Sequence, residues 1–125
     1  MKKFLMLKIA VAAALITSVN FSSAGTLEVG PVYLDSVTAI GPSAFGHAAG
    51  NLEIKVTNGT GSPAGVTCDA NYVATRNTVA NFKEMLSVLL AAQIAQKPVR
   101  IGITDDPTLT AFGGRCSLVS VTVLK

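Results

Sequence analysis

Ala80-Asn81-Phe82-Lys83-Glu84-Met85-Leu86-Ser87-Val88-Leu89-Leu90-Ala91-Ala92-Gln93-Ile94-Ala95-Gln96-Lys97-Pro98-Val99-Arg100-Ile101 is the stretch on which the fold turns, because its apolar period changes partway along. Phe82, Met85, Leu86, Leu89 and Leu90 recur at helical spacing, and Asn77 or Thr78 offers a cap. The spacing predicts a helix over about 78–96, since Pro98 disfavours helical backbone at the residue before it. Beyond the proline the period drops to two: Val99, Ile101 and Ile103 alternate with Arg100, Gly102 and Thr104, which reads as a strand.

Working outward, the segments on either side read as strands. The alternation in Asn51–Thr57 is the cleanest, with Leu52, Ile54 and Val56 on one face and Glu53, Lys55 and Thr57 on the other. Turn residues Asn58–Pro63 end it. Val66–Val73 is a further strand, placing Val66, Cys68, Ala70 and Tyr72 on one face. Val29–Ile40 reads as one strand region whose phase changes near Asp35 and Ser36, the mark of a bulge or bend. After the helix, Ser117–Leu124 closes the chain, and Leu109 lies in a short segment that pairs weakly at best. The order is three strands, one helix, then two or three strands, a β-rich α+β chain.

That helix is more apolar than covering a small sheet requires. One stripe, Phe82-Met85-Leu86-Leu89, suffices for a core. Val88 and Ile94 lie off it, and Ala91, Ala92 and Ala95 leave little polar face. Either the helix packs against a second copy, or these are scattered surface apolar residues of the ordinary kind.

The first 24 residues read as a secretory leader, leaving 25–125 as a single domain. Lys2 and Lys3 precede the apolar run Ile9–Val19, and Ser22 and Ala24 place small residues where a signal peptidase cuts, before Gly25. The run is too short to cross a bilayer, which takes roughly 20 residues. Lys2, Lys3 and Lys8 account for three of the ten basic residues, so the mature domain keeps seven, against seven acidic ones. A balanced domain lacks the cationic footprint of nucleic-acid binding. The same export puts Cys68 and Cys116 in an oxidising compartment, secreted or periplasmic, where pairing is the default. A disulfide closing that loop is worth roughly 4 kcal/mol on the chain-entropy model.

Catalytic chemistry is hard to assemble. His47, the single histidine, falls between glycines and reads as a solvated loop side chain. Ser43 lacks the glycine pattern of a nucleophile elbow. Asp105 and Asp106 precede Pro107 and read as turn formers. Neither metal-ligand spacing nor a phosphate-binding glycine loop is present, so catalytic, metal and cofactor roles are assigned to no residue. The most site-like cluster is Tyr72 with Asn71 and Arg76, an aromatic ring beside amide and guanidinium donors of the kind that bind sugars. Its alternative is that Tyr72 simply packs over the rim of the fold. Arg100 and Arg115 read equally as surface charges or interface partners.

The helix ending in Leu89-Leu90-Ala91-Ala92, followed by Lys97-Pro98-Val99-Arg100-Ile101 and flanked by one cysteine on each side, resembles small exported bacterial proteins. Through them it is similar to the B subunits of AB5 toxins of the subtilase-cytotoxin and pertussis-like type. The resemblance covers about Val66–Val123 and implies an OB-like small β-barrel of about five strands, with the helix between the third and fourth. It further implies a non-enzymatic binding domain, a homo-oligomer recognising glycans or an envelope protein. None of that family's sugar-contacting residues maps onto a position here. The alternative function is a monomeric periplasmic protein with a structural or inhibitor-like role.

Overall fold

A computed structural model of the protein describes residues 24–125. The leader expected over 1–24 therefore lies outside the described residues, apart from Ala24. The elements run β1 (Thr26–Val32), β2 (Leu34–Ala39), β3 (Leu52–Val56), β4 (Asp69–Thr75), α1 (Phe82–Ile94), β5 (Val99–Thr104) and β6 (Arg115–Val123). They build one six-stranded sheet in the order β1-β5-β6-β4-β3-β2. Every neighbouring pair is antiparallel except β4 and β6, which run parallel across the α1–β5 connection.

Two expectations need correcting. The region Val29–Ile40 is not one strand: the chain breaks at Tyr33, pairing first with β5 and then with β3. The helix consequently follows the fourth strand, not the third. The phase change near Asp35 and Ser36 has its own cause. Leu34 pairs with Val56 and Ser36 with Lys55, so Asp35 is the extra residue of a bulge.

Nor is the sheet a closed barrel, because no ladder joins its edge strands β1 and β2. The turn-rich segment 57–68, which forms no ladder with β1, lies against its start instead: Gly65 approaches both Gly25 and Leu27. Yet Tyr33 alone separates the two edge strands, so Val32 and Leu34 sit at most about 7.6 Å apart. The sheet curls until its edges meet at that corner.

Inside the curl lies the core. Leu52, Ile54 and Val56 face it from β3, Val73 from β4, Val99, Ile101 and Ile103 from β5, and Leu118 from β6. The helix α1 packs across β2 and β6, burying Met85, Leu89 and Ala92. Cys68 and Cys116 form a disulfide at the core's edge, with Cα atoms 4.9 Å apart and both residues buried. Val119 is the extra residue of a bulge opposite the β5 step Gly102–Ile103. A Cβ at Gly102 would crowd the Ser120 and Val119 side chains, so glycine lets the bulge pack closely there.

The helix is shorter than its apolar period. Asn77–Ala80 form turns, and Asn81, at φ 59°, starts α1 without a side-chain cap. At the other end Lys97 N–H donates to Ala92 O (2.9 Å) and Gln96 N–H to Gln93 O (3.2 Å), with Gln96 at φ 52°. This is a Schellman termination with glutamine where glycine is usual. On the outward side Ile94 is 82% and Leu90 39% exposed, while Val88 is half-buried.

Candidate functional site

The sheet face that carries Glu53 and Lys55 looks away from the core, as the alternation of β3 requires. Lys55 pairs with Tyr72 across β3 and β4, which puts both side chains on that face. Arg115, at the start of β6, stacks its guanidinium 3.9 Å from the Phe112 ring centroid and 4.8 Å from that of Tyr72. Lys55 Nζ lies 5.9 Å from the Tyr72 ring and 3.8 Å from Asp35 Oδ2. Aromatic and cationic groups therefore alternate in a row, and each cation has a carboxylate partner: Glu53 for Arg115 and Asp35 for Lys55.

One end of the row is covered by a small turn. Ala44 and His47 exchange backbone hydrogen bonds of 2.8 and 3.2 Å around Phe45 and Gly46, whose φ angles are 53° and 82°. Two positive φ angles are what a type I′ turn requires, and Asn-Gly is its usual occupant. A bulky aromatic residue in that conformation is strained. Phe45 accepts it while 91% exposed.

His47 anchors this turn, and here the sequence expectation fails: the side chain is buried, not solvated. Its ring lies 4.7 Å from that of Phe112, and Nε2 is 2.9 Å from Glu53 Oε2. Asn51 Nδ2 donates to Ala111 O at 3.0 Å and approaches His47 Nδ1 at 3.5 Å. Burial first, and Arg115 second, hold the imidazole pKa below its ordinary value. The Glu53 carboxylate that meets Nε2 is itself paired with Arg115. Both ring nitrogens thus face groups of the protein.

Of the three residues singled out for ligand binding, Asn71 and Tyr72 come together and Arg76 does not join them. Asn71 and Tyr72 line an open groove of about 470 Å³ with Asp35, Lys55, Val56, Asn58 and Gly59. Within it Asn71 Oδ1 accepts from Gly61 N–H at 2.9 Å. Arg76 instead donates through Nε to Thr110 O (2.7 Å) and borders a different groove with Val79 and Leu109. Glu53, Lys55, Phe112 and Arg115 were missed as site residues. The polar face of β3 was the available signal for the first two; Phe112 and Arg115 lie far along the chain, and only the β4–β6 pairing brings them in.

The groove offers carboxylate and carbonyl acceptors, amide and ammonium donors and one aromatic ring. Among the described residues no group of three or more histidine, cysteine, aspartate or glutamate side chains could hold a metal ion. None of the described helices is long and apolar enough to cross a membrane. Comparisons of the chain with protein-family models, with curated proteins and with solved structures find no match.

Proposed function

We propose that the chain is an exported, non-enzymatic binding domain that recognises a neutral, hydroxyl-rich glycan in the groove of Asp35, Lys55, Asn58, Asn71 and Tyr72. The observation that carries this reading is the meeting of Tyr72 and Asn71 with three further polar side chains in one open groove. Pairing of Lys55 with Asp35 and of Arg115 with Glu53 leaves the face balanced in charge, which suits sugar hydroxyls better than an anionic ligand. The toxin B-subunit resemblance points to the same ligand class. His47, with its ring nitrogens turned to Glu53 and Asn51, supports the turn beneath Phe45 and not an acid–base role.

A glycan array probed with the exported protein tests this reading. Binding that weakens about tenfold or more in Lys55→Gln or Asn58→Ala supports it, that factor being roughly 1.4 kcal/mol. An array without hits, or hits indifferent to both substitutions, overturns it.

Assembly is the second part of the proposal. Leu90 and Ile94 lie one turn apart on the outward face of α1, and a second copy of the chain is the occupant we assign to them. Light scattering at high micromolar concentration should show an oligomer that Ile94→Lys dissolves. A strict monomer removes this part and favours a monomeric structural or inhibitor-like role in the envelope.

A further inference from the structure

Asp105 does not serve its own turn; it holds together two distant parts of the chain. Its Oδ1 accepts from the backbone N–H of Gly25 at 2.6 Å, and its Oδ2 accepts from Thr67 N–H (2.8 Å) and Thr67 Oγ1 (3.1 Å). The carbonyl of Gly25 is held as well, by Thr104 Oγ1 at 2.8 Å and by the N–H of Asp105 at 3.2 Å. A Cβ at residue 25 would run into the carbonyl oxygen of Gly65, so the seat admits glycine alone. This fitted seat receives the residue before which the leader is expected to be cut.

We propose that the Asp105 carboxylate, steadied by Thr67, is an intramolecular binding site for the α-ammonium group that cleavage of the Ala24–Gly25 bond leaves on Gly25. Peptidase-catalysed hydrolysis adds one water across that amide: the hydroxyl goes to the Ala24 carbonyl carbon, which leaves as a carboxylate, and the Gly25 nitrogen becomes an ammonium. A neutral N–H donor is thereby replaced, at the same point, by a unit positive charge with three donors. Charge-assisted hydrogen bonds are shorter and about twice as strong as neutral ones. The neighbouring charges are engaged elsewhere. Arg115, which lines the same cleft, is held by Glu53. Asp106 turns its carboxylate to Thr108, and Glu28 on β1 lies 3.9 Å from Arg100. Processing thus converts a hydrogen bond into an ion pair at the start of β1, fastening that edge strand beside Thr104.

Intact-mass measurement of the exported protein should give a chain beginning at Gly25. NMR titration of that chain should place its α-amino pKa above the ordinary range of about 7.7–8.0. A form beginning at Ala24 should titrate within that range, because its charge is displaced by one residue while Gly25 keeps the amide bond seen here. Asp105→Asn should return the Gly25 form to the ordinary value. If that variant fails to fold, the Ala24 form decides alone. A chain starting at any other residue, or equal α-amino pKa values in the Gly25 and Ala24 forms, overturns the proposal. Neither result bears on the groove around Tyr72.

Discussion

Two residues in the Gly41–Gly50 turn carry opposite signs in the stability of the protein. Phe45 holds a left-handed backbone conformation that costs an L-residue roughly 1–2 kcal/mol, and its exposed ring recovers little of that. Phe45→Asn, which suits the position, should raise unfolding stability by about 1 kcal/mol in urea denaturation. His47 contributes by being buried and neutral. Its folded pKa lies below the ordinary 6.5, so between those two values the unfolded chain binds the extra proton. Stability is therefore complete above about pH 6.5 and falls as pH drops through that window. His47→Gln should lower stability at pH 7.5 by about 1–3 kcal/mol and flatten this acid limb, which denaturation curves at pH 5 and 7.5 will read. Asp105 acts in a separate, more acid window. The Thr67 amide chiefly, with that of Gly25, holds its carboxylate below the ordinary value, so its contribution is present near neutrality and is lost as pH falls through its lowered folded pKa.

At the scale of the element, α1 shows where local chemistry and packing part company. Its end is a full Schellman arrangement except that Gln96 occupies the left-handed position. Gln96→Gly should stabilise the protein by about 0.5–1 kcal/mol, because removing the left-handed strain outweighs the added freedom of the unfolded chain. Thermal unfolding measures it, and no change in ligand binding should accompany it. Period and breaker residues made the helix legible: Phe82, Met85 and Leu89 face the sheet, and the helix stops short of Pro98. Its start was not, because a capping residue at 77 or 78 is only useful where the chain enters the helix, and here it turns through Ala80 first. Strand β3 was legible residue by residue, since one of its faces is buried and the other is not. The break at Tyr33 was beyond reach. An alternating segment looks the same whether it pairs with one neighbour or changes partners halfway.

Over the whole molecule, the disulfide ties the approach to β4 to the beginning of β6, closing 48 residues that include all of α1 and β5. Replacing both Cys68 and Cys116 by alanine should cost about 2–5 kcal/mol, a loss that reduction of the native protein should reproduce. Cysteine pairing was the long-range feature most open to reading from sequence, because a chain with two cysteines and an expected leader has one pairing to offer. The candidate site was open only in part. Tyr72 and Asn71 are neighbours in the chain, and their chemistry marks them. Arg76 carries donor chemistry of the same kind, but the carbonyls of Thr108 and Thr110 take its guanidinium. Arg115 could not be judged, because its neighbours Tyr72 and Glu53 are brought to it by sheet register, which no local pattern encodes.

The position of β1 also bears on the order in which the molecule is completed. Its partner is β5, and paired residues such as Thr26 and Thr104 stand 78 positions apart. Such distant contacts require loop closure before they stabilise anything, and chains rich in them fold slowly. A strand that leaves the ribosome early has no native neighbour until Val99–Thr104 have been made. The sheet's first edge therefore stays unpaired while β2, β3, β4 and α1 are all being made.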